Sequence, residues 1–99
     1  MDINVDAVRN TRINAEKHGL VTQIDTRTSD GLTALTDDEQ FDFVIANLPG
    51  RSLEAIDVVE GAQWDGGYRV HKAFFTNIAK HLMDGAQILM AKANYPEIN

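Results

Sequence analysis

The sequence contains no cysteine, only two prolines and no long unbroken apolar run. Without cysteine there is no disulfide framework, no thiol nucleophile and no thiolate zinc site, and the composition suits a reducing compartment. No stretch is apolar for long enough to cross a bilayer, and no charged-then-apolar leader opens the chain. These two absences point away from a membrane and toward the cytoplasm. Basic residues are scarce as well: nine Lys and Arg stand against fifteen Asp and Glu, for a formal charge of −6. Such a chain has no overall attraction for nucleic acid, so an RNA substrate would need phosphate contacts from another domain. Neither a Gly-x-Ser-x-Gly elbow nor a Gly-x-x-x-x-Gly-Lys phosphate loop occurs, which leaves hydrolase and nucleoside-triphosphatase readings without support. The three histidines do not form a metal site. His71 and His81 fall on different faces of one expected helix and His18 ends another, so all three are expected at the surface or rim.

What is present fits one small α/β domain. The chain has 99 residues, 43% hydrophobic and 24% charged, enough for a single modest core. Phe41 to Ala46 contains the apolar run Phe43-Val44-Ile45-Ala46, closed by a Pro-Gly turn signal at Pro49-Gly50, and reads as a central strand buried on both faces. Asn47 stands at its carboxyl end, the place where open α/β sheets bind ligands; an Asn before a Pro-containing turn is also an ordinary turn former. Val5 to His18 reads as a helix capped by Asn4 and stopped by Gly19. Val21 to Arg27 alternates apolar and polar residues and suits a half-exposed strand near a sheet edge. A helical turn is expected around Leu32 and Leu35, followed by a solvated acidic loop at Thr36 to Glu39. The long segment from Arg51 to Gly67 reads as a lid or binding loop, with Trp64 either exposed in it or plugging the core. From Tyr68 to Met83, Val70, Ala73, Phe74, Ile78 and Leu82 form a helical stripe. Asp84-Gly85 ends that helix, and Ile88 to Ala91 reads as a second buried strand.

Three of these segments together carry a resemblance. Asn47-Leu48-Pro49-Gly50 is similar to the Asn-Pro-Pro-Tyr signature of class I S-adenosylmethionine-dependent methyltransferases that modify planar amines, amides and ribosomal RNA bases. Asp2-Ile3-Asn4-Val5-Asp6-Ala7-Val8, continuing to Asn14-Ala15 and His18-Gly19, resembles the acidic end of the second strand and the following helix in small-methyltransferase-like domains. Trp64-Asp65-Gly66-Gly67, Phe74-Phe75 and Leu82-Met83-Asp84-Gly85 resemble the approach to the fifth strand. Order and spacing agree over nearly the whole chain. Leu48 replaces the first proline, as in the ribosomal RNA adenine dimethylases, and Gly50 replaces the aromatic fourth residue.

The resemblance implies an incomplete Rossmann-like methyltransferase fold, with a mostly parallel sheet and flanking helices, over residues 1–99. This single partial domain would run from the end of the second strand to the fifth. S-adenosylmethionine would be the cofactor, with Asp2 on the ribose hydroxyls, Ile3 against the adenine, and Asp30 with Gly31 beside the adenine amine. Asn47, Leu48 and Pro49 would form the catalytic segment, orienting an amine, amide or nucleobase nitrogen toward the sulfonium methyl, and Asn47 would also touch the cofactor. The acceptor could be a protein, an RNA or a small molecule. The family's glycine-rich first turn has no counterpart before Asp2, so the isolated chain is expected to be inactive and part of a larger methyltransferase. In the family's strand order, 3-2-1-4-5, the absent strand would flank Phe41 to Ala46. Pairing of Val21 to Arg27 with that open edge, or self-association through it, is then expected. The alternative is a non-catalytic α/β binding or interaction module derived from this fold. Another Rossmann-type nucleotide binder would place Asp2 on a ribose but leaves Asn47-Leu48-Pro49 without a role.

Overall fold

A computed structural model describes residues 1–49 and 66–91. Gly50, residues 51–65 of the expected lid or binding loop with Trp64, and residues 92–99 lie outside the described residues. The architecture is α/β, in two compact units, Met1–Leu35 and Thr36–Asn99.

The first unit is built on helix α1, Val5–Lys17. Its start is locally encoded. The Asp2 carboxylate accepts from the Asn4 amide at 2.9 Å, and the Asn4 side chain accepts from the Asp6 amide at 2.9 Å, satisfying an amide that the helix itself leaves unpaired. Asp6 in the first turn and Lys17 in the last complement the helix dipole. Val8 and Ala15, seven positions apart and hence on one face, are its buried residues. At the other end, the Gly19 amide donates to the Glu16 carbonyl at 3.1 Å and the Leu20 amide to the Ala15 carbonyl at 2.8 Å. This is the paired closure of a Schellman motif, with Gly19 at φ +68°.

The segment after α1 corrects the sequence reading, because Val21 to Arg27 is not a strand. The Leu20 carbonyl accepts from the amides of both Gln23 and Ile24, at 2.9 and 3.0 Å, which winds the chain into a turn and removes those amides from any ladder. Only Thr28 bridges, in parallel, to Asp2. The alternating pattern encoded a half-apolar surface, and Val21 and Ile24 are indeed exposed at its tip. A strand also needs a neighbouring strand to receive its amides, and among the described residues the one pairing beside this segment is the isolated bridge between Asp2 and Thr28.

In the second unit, strands β1, Phe41–Ala46, and β2, Leu82–Met90, form a two-stranded parallel sheet. Phe43, Val44, Ile45 and Ala46 pair with Gln87, Ile88, Leu89 and Met90. Before this regular stretch β2 advances from Leu82 to Gln87 while β1 advances only from Phe41 to Phe43. Asp84-Gly85, expected to stop a helix, instead lies in this irregularity, with Gly85 at φ +76°. The strand therefore begins earlier than Ile88, and the helix ends earlier than Met83.

Between the strands, helix α2 spans Arg69–Asn77, preceded by a 3₁₀ turn at Gly66–Tyr68 and followed by another at Ile78–His81. The apolar stripe read from the sequence is buried in part: Phe74 and Ile78 are enclosed, Val70 and Leu82 are half-buried and Ala73 is exposed, while His81, outside the stripe, is enclosed with them. The Thr36 to Glu39 loop is more organised than a free acidic loop. The Glu39 carboxylate accepts from the Thr36 amide at 2.8 Å, and Asp37 meets Lys80 at 3.2 Å.

The sheet is not buried on both faces, which corrects the reading of β1. Register partners in a parallel pair share a face, so Val44, Ala46, Ile88 and Met90 lie on one side and Phe43, Ile45, Gln87 and Leu89 on the other. Ala46 is 6% exposed, whereas Phe43, Ile45 and Leu89 are 50%, 70% and 58% exposed. An unbroken apolar run marks a strand that can be covered twice, but it cannot itself supply the second cover. Nor does Val21 to Arg27 join as a strand; β1 pairs with β2.

Candidate functional site

The residues singled out in the sequence fall into two groups, one in each unit. In the first, the Asp2 amide donates to the Arg27 carbonyl at 3.2 Å and the Ser29 amide to the Asp2 carbonyl at 2.8 Å. Because this bridge is parallel, Ile3 and the Asp30-Gly31 pair leave it in the same direction. The four candidate cofactor residues Asp2, Ile3, Asp30 and Gly31 are thus gathered at the carboxyl ends of two adjoining stubs of chain. Asp2, Asp30 and Gly31 are exposed, and Ile3 is 52% exposed. Asp2 also has a local structural task, since its Oδ1 holds the Asn4 amide.

Ser29 was not singled out from the sequence. It is 5% exposed, its hydroxyl donates to the Gly31 carbonyl at 2.8 Å, and it accepts from the Ala34 amide at 3.0 Å. One buried hydroxyl therefore fixes the Asp30-Gly31 turn, in which Gly31 has φ +59°. Arg27 braces the same turn from outside. Its Nη1 donates to the Ala34 carbonyl at 3.1 Å, while Nε and Nη2 reach one carboxylate oxygen of Asp25 at 3.0 and 2.7 Å. A serine two residues before a glycine is a common turn-forming pattern, so the signal was present but unspecific.

In the second unit, Asn47 is the first residue past β1 and is exposed, with Leu48 and Pro49 half-buried behind it. The ladder closes with the Ala91 amide donating to the Ala46 carbonyl at 3.3 Å. Among the described residues Asn47 thus stands beyond the last hydrogen bond of the ladder.

His81 overturns the expectation that every histidine is a surface or rim residue. It is 2% exposed, and its Nδ1 lies 2.7 Å from the Glu39 carbonyl oxygen. A carbonyl only accepts, so Nδ1 carries the proton and donates. His81 is a strap between the start of β2 and the segment entering β1. His71 lies half-buried on α2, edge to face with Tyr68 at 5.7 Å between ring centroids. Among the described residues no group of three His, Asp or Glu side chains could hold a metal ion, and no helix is long and apolar enough to cross a membrane. An open depression of about 280 Å³, lined by Arg12, Glu16, Val21, Ile24, Asp25 and Thr26 among others, includes none of the candidate site residues.

No family model matches the chain, and neither a curated protein nor a solved structure matches it.

Proposed function

We propose that this chain is part of an S-adenosylmethionine-dependent methyltransferase acting on an amine, amide or nucleobase nitrogen, with a Rossmann-like fold in the complete enzyme. The observation that carries the reading is the position of Asn47-Leu48-Pro49, immediately past the carboxyl end of a strand in a parallel sheet. The gathering of Asp2, Ile3, Asp30 and Gly31 at the carboxyl ends of a parallel bridge supports it from the other unit.

The chemistry asks little of the protein beyond placement. S-adenosylmethionine, when bound, would supply the methyl group together with its sulfonium leaving group, and the acceptor nitrogen would give up its proton to solvent. Orientation is therefore the protein's main contribution. The Asn47 Oδ1 and the Leu48 carbonyl would accept from the acceptor's N–H groups and hold the lone pair toward the methyl. Asp2 would take the ribose hydroxyls and Asp30 the adenine amine, both as charge-assisted acceptors.

S-adenosylhomocysteine tests this without requiring turnover. Titrated into the labelled chain and followed by amide NMR, it is expected to move Asp2, Ile3, Asp30 and Gly31 together, with millimolar affinity. An absence of shifts at these residues at the solubility limit would refute the assignment.

A second reading, a non-catalytic interaction module, is favoured by the open apolar face of Phe43, Ile45 and Leu89. The same titration separates the two, because an interaction module has no reason to answer the cofactor product at Asp2 and Asp30.

A further inference from the structure

We propose that the depression in the first unit binds a free α-amino acid with an aliphatic side chain. The site shares no residue with the candidate cofactor set, and the proposal is independent of the methyl-transfer reading.

The apolar part of the lining comes from α1 and from the turn that follows it. Ala15, 4% exposed, gives the hollow a closed side on the helix. Val21 and Ile24, 55% and 41% exposed, line it from the turn wound on the Leu20 carbonyl. Two aliphatic side chains left in water beside a hollow are surface that a hydrocarbon ligand can cover. At about 280 Å³ the hollow lies at the small end of ligand sites, which run from roughly 300 to 1,000 Å³. That size suits a small metabolite better than a nucleotide.

The charged part of the lining selects the class of ligand. Arg12 and Glu16 are four residues apart on α1, so their Cβ atoms are about 5–6 Å from each other on one face, yet they form no ion pair. Arg12 turns instead to the segment after the helix, where its Nε donates to Thr26 Oγ1 at 3.3 Å. Its terminal amino groups meet no carboxylate among the described residues. Asp25 also lines the hollow, but Arg27 holds one oxygen of its carboxylate at 2.7 and 3.0 Å. Glu16 is therefore the lining carboxylate that has no cation.

A hollow with one unpaired cation and one unpaired anion disfavours ions of a single sign. A phosphate at Arg12 would face Glu16 and Asp25, and a metal ion at Glu16 would face Arg12. Both charges are answered at once by a molecule that carries a carboxylate and an ammonium on the same carbon. The carboxylate accepts from the Arg12 guanidinium, the ammonium donates to Glu16, and an aliphatic side chain covers Val21 and Ile24.

L-Leucine is the probe. Titrated into the isotope-labelled full chain, it is expected to move the Val21, Ile24 and Thr26 amides and the Arg12 Nε–H with one shared millimolar Kd. Leucinamide lacks the carboxylate and N-acetyl-leucine lacks the ammonium, and each should bind roughly two- to fivefold more weakly, the range of an exposed ion pair. Arg12→Gln should abolish the preference over leucinamide, and Glu16→Gln the preference over N-acetyl-leucine. A variant that merely disturbed α1 would weaken all three ligands alike, so this pattern isolates charge recognition. The proposal is overturned if leucine moves none of these groups at its solubility limit, if the three ligands bind equally, or if both preferences survive in the variants.

Discussion

His81 offers the most direct test of how the second unit is held. Its side chain is almost wholly enclosed and donates through Nδ1 to the Glu39 carbonyl at 2.7 Å. The variant His81→Phe keeps an aromatic ring of similar size but has no donor, so the part-buried hydrogen bond to the Glu39 carbonyl is lost. A bond of this kind contributes about 0.5–1.5 kcal/mol, a sizeable share of the roughly 5–15 kcal/mol that holds a typical domain together. With a urea dependence of about 1–3 kcal/mol per molar, the midpoint should fall by roughly 0.5 M. Urea titration followed by far-ultraviolet circular dichroism reads this directly. His81→Asn serves as the complement, because its amide can still donate where Nδ1 does while the rest of the ring is missing. Amide exchange at Phe41 and Phe43 should therefore quicken more in His81→Phe than in His81→Asn relative to their global stabilities. If His81→Phe unfolds at the wild-type midpoint, the strap contributes nothing and the burial of His81 is incidental packing.

Gly19→Ala should destabilise α1 by about 1 kcal/mol, read as a lower melting temperature; a Cβ there meets open space, so the penalty is purely that of φ +68° on a side-chain-bearing residue. Phe74→Ala is expected to cost about 3–5 kcal/mol and Ile45→Gln less than about 0.5 kcal/mol, since Phe74 is 6% and Ile45 70% exposed. Equal losses in chemical denaturation would mean that the open face is covered in solution. Asp2→Asn retains an oxygen for the Asn4 amide but loses the charge, so S-adenosylhomocysteine affinity should drop roughly fivefold, about 1 kcal/mol, with α1 intact by circular dichroism. In a methyl-transferring assembly containing this chain, Asn47→Ala should lower kcat and kcat/KM together while cofactor affinity stays within a few-fold; unchanged turnover would return Asn47 to the role of a turn former.

The sequence alone determined what neighbouring residues decide among themselves. Asn4 and Gly19 bracket α1 because a helix cap and a left-handed stop act within a few residues. The run at Phe43 to Ala46 located β1, and the stripe through Phe74 and Ile78 located the buried residues of α2 and of the 3₁₀ turn after it. Asn47 could be picked out because it is a polar side chain at the end of a recognisable strand, whereas Asp2 and Asp30 were reached only through the resemblance to methyltransferases. Tertiary structure decided everything that requires a distant partner. Val21 to Arg27 had the alternation of a strand but receives only one bridge, at Thr28, and Leu20 takes the amides a ladder would have used. Whether the apolar faces of β1 are covered depends on which elements lie over them, so Ala46 is enclosed and Ile45 is not, though they adjoin in the chain. His81 looked like a surface residue because the carbonyl that accepts its proton belongs to Glu39, 42 positions away. Burial of a polar side chain is tolerable only where such a partner exists, and that pairing is set by the return of the chain along the sheet rather than by any local pattern.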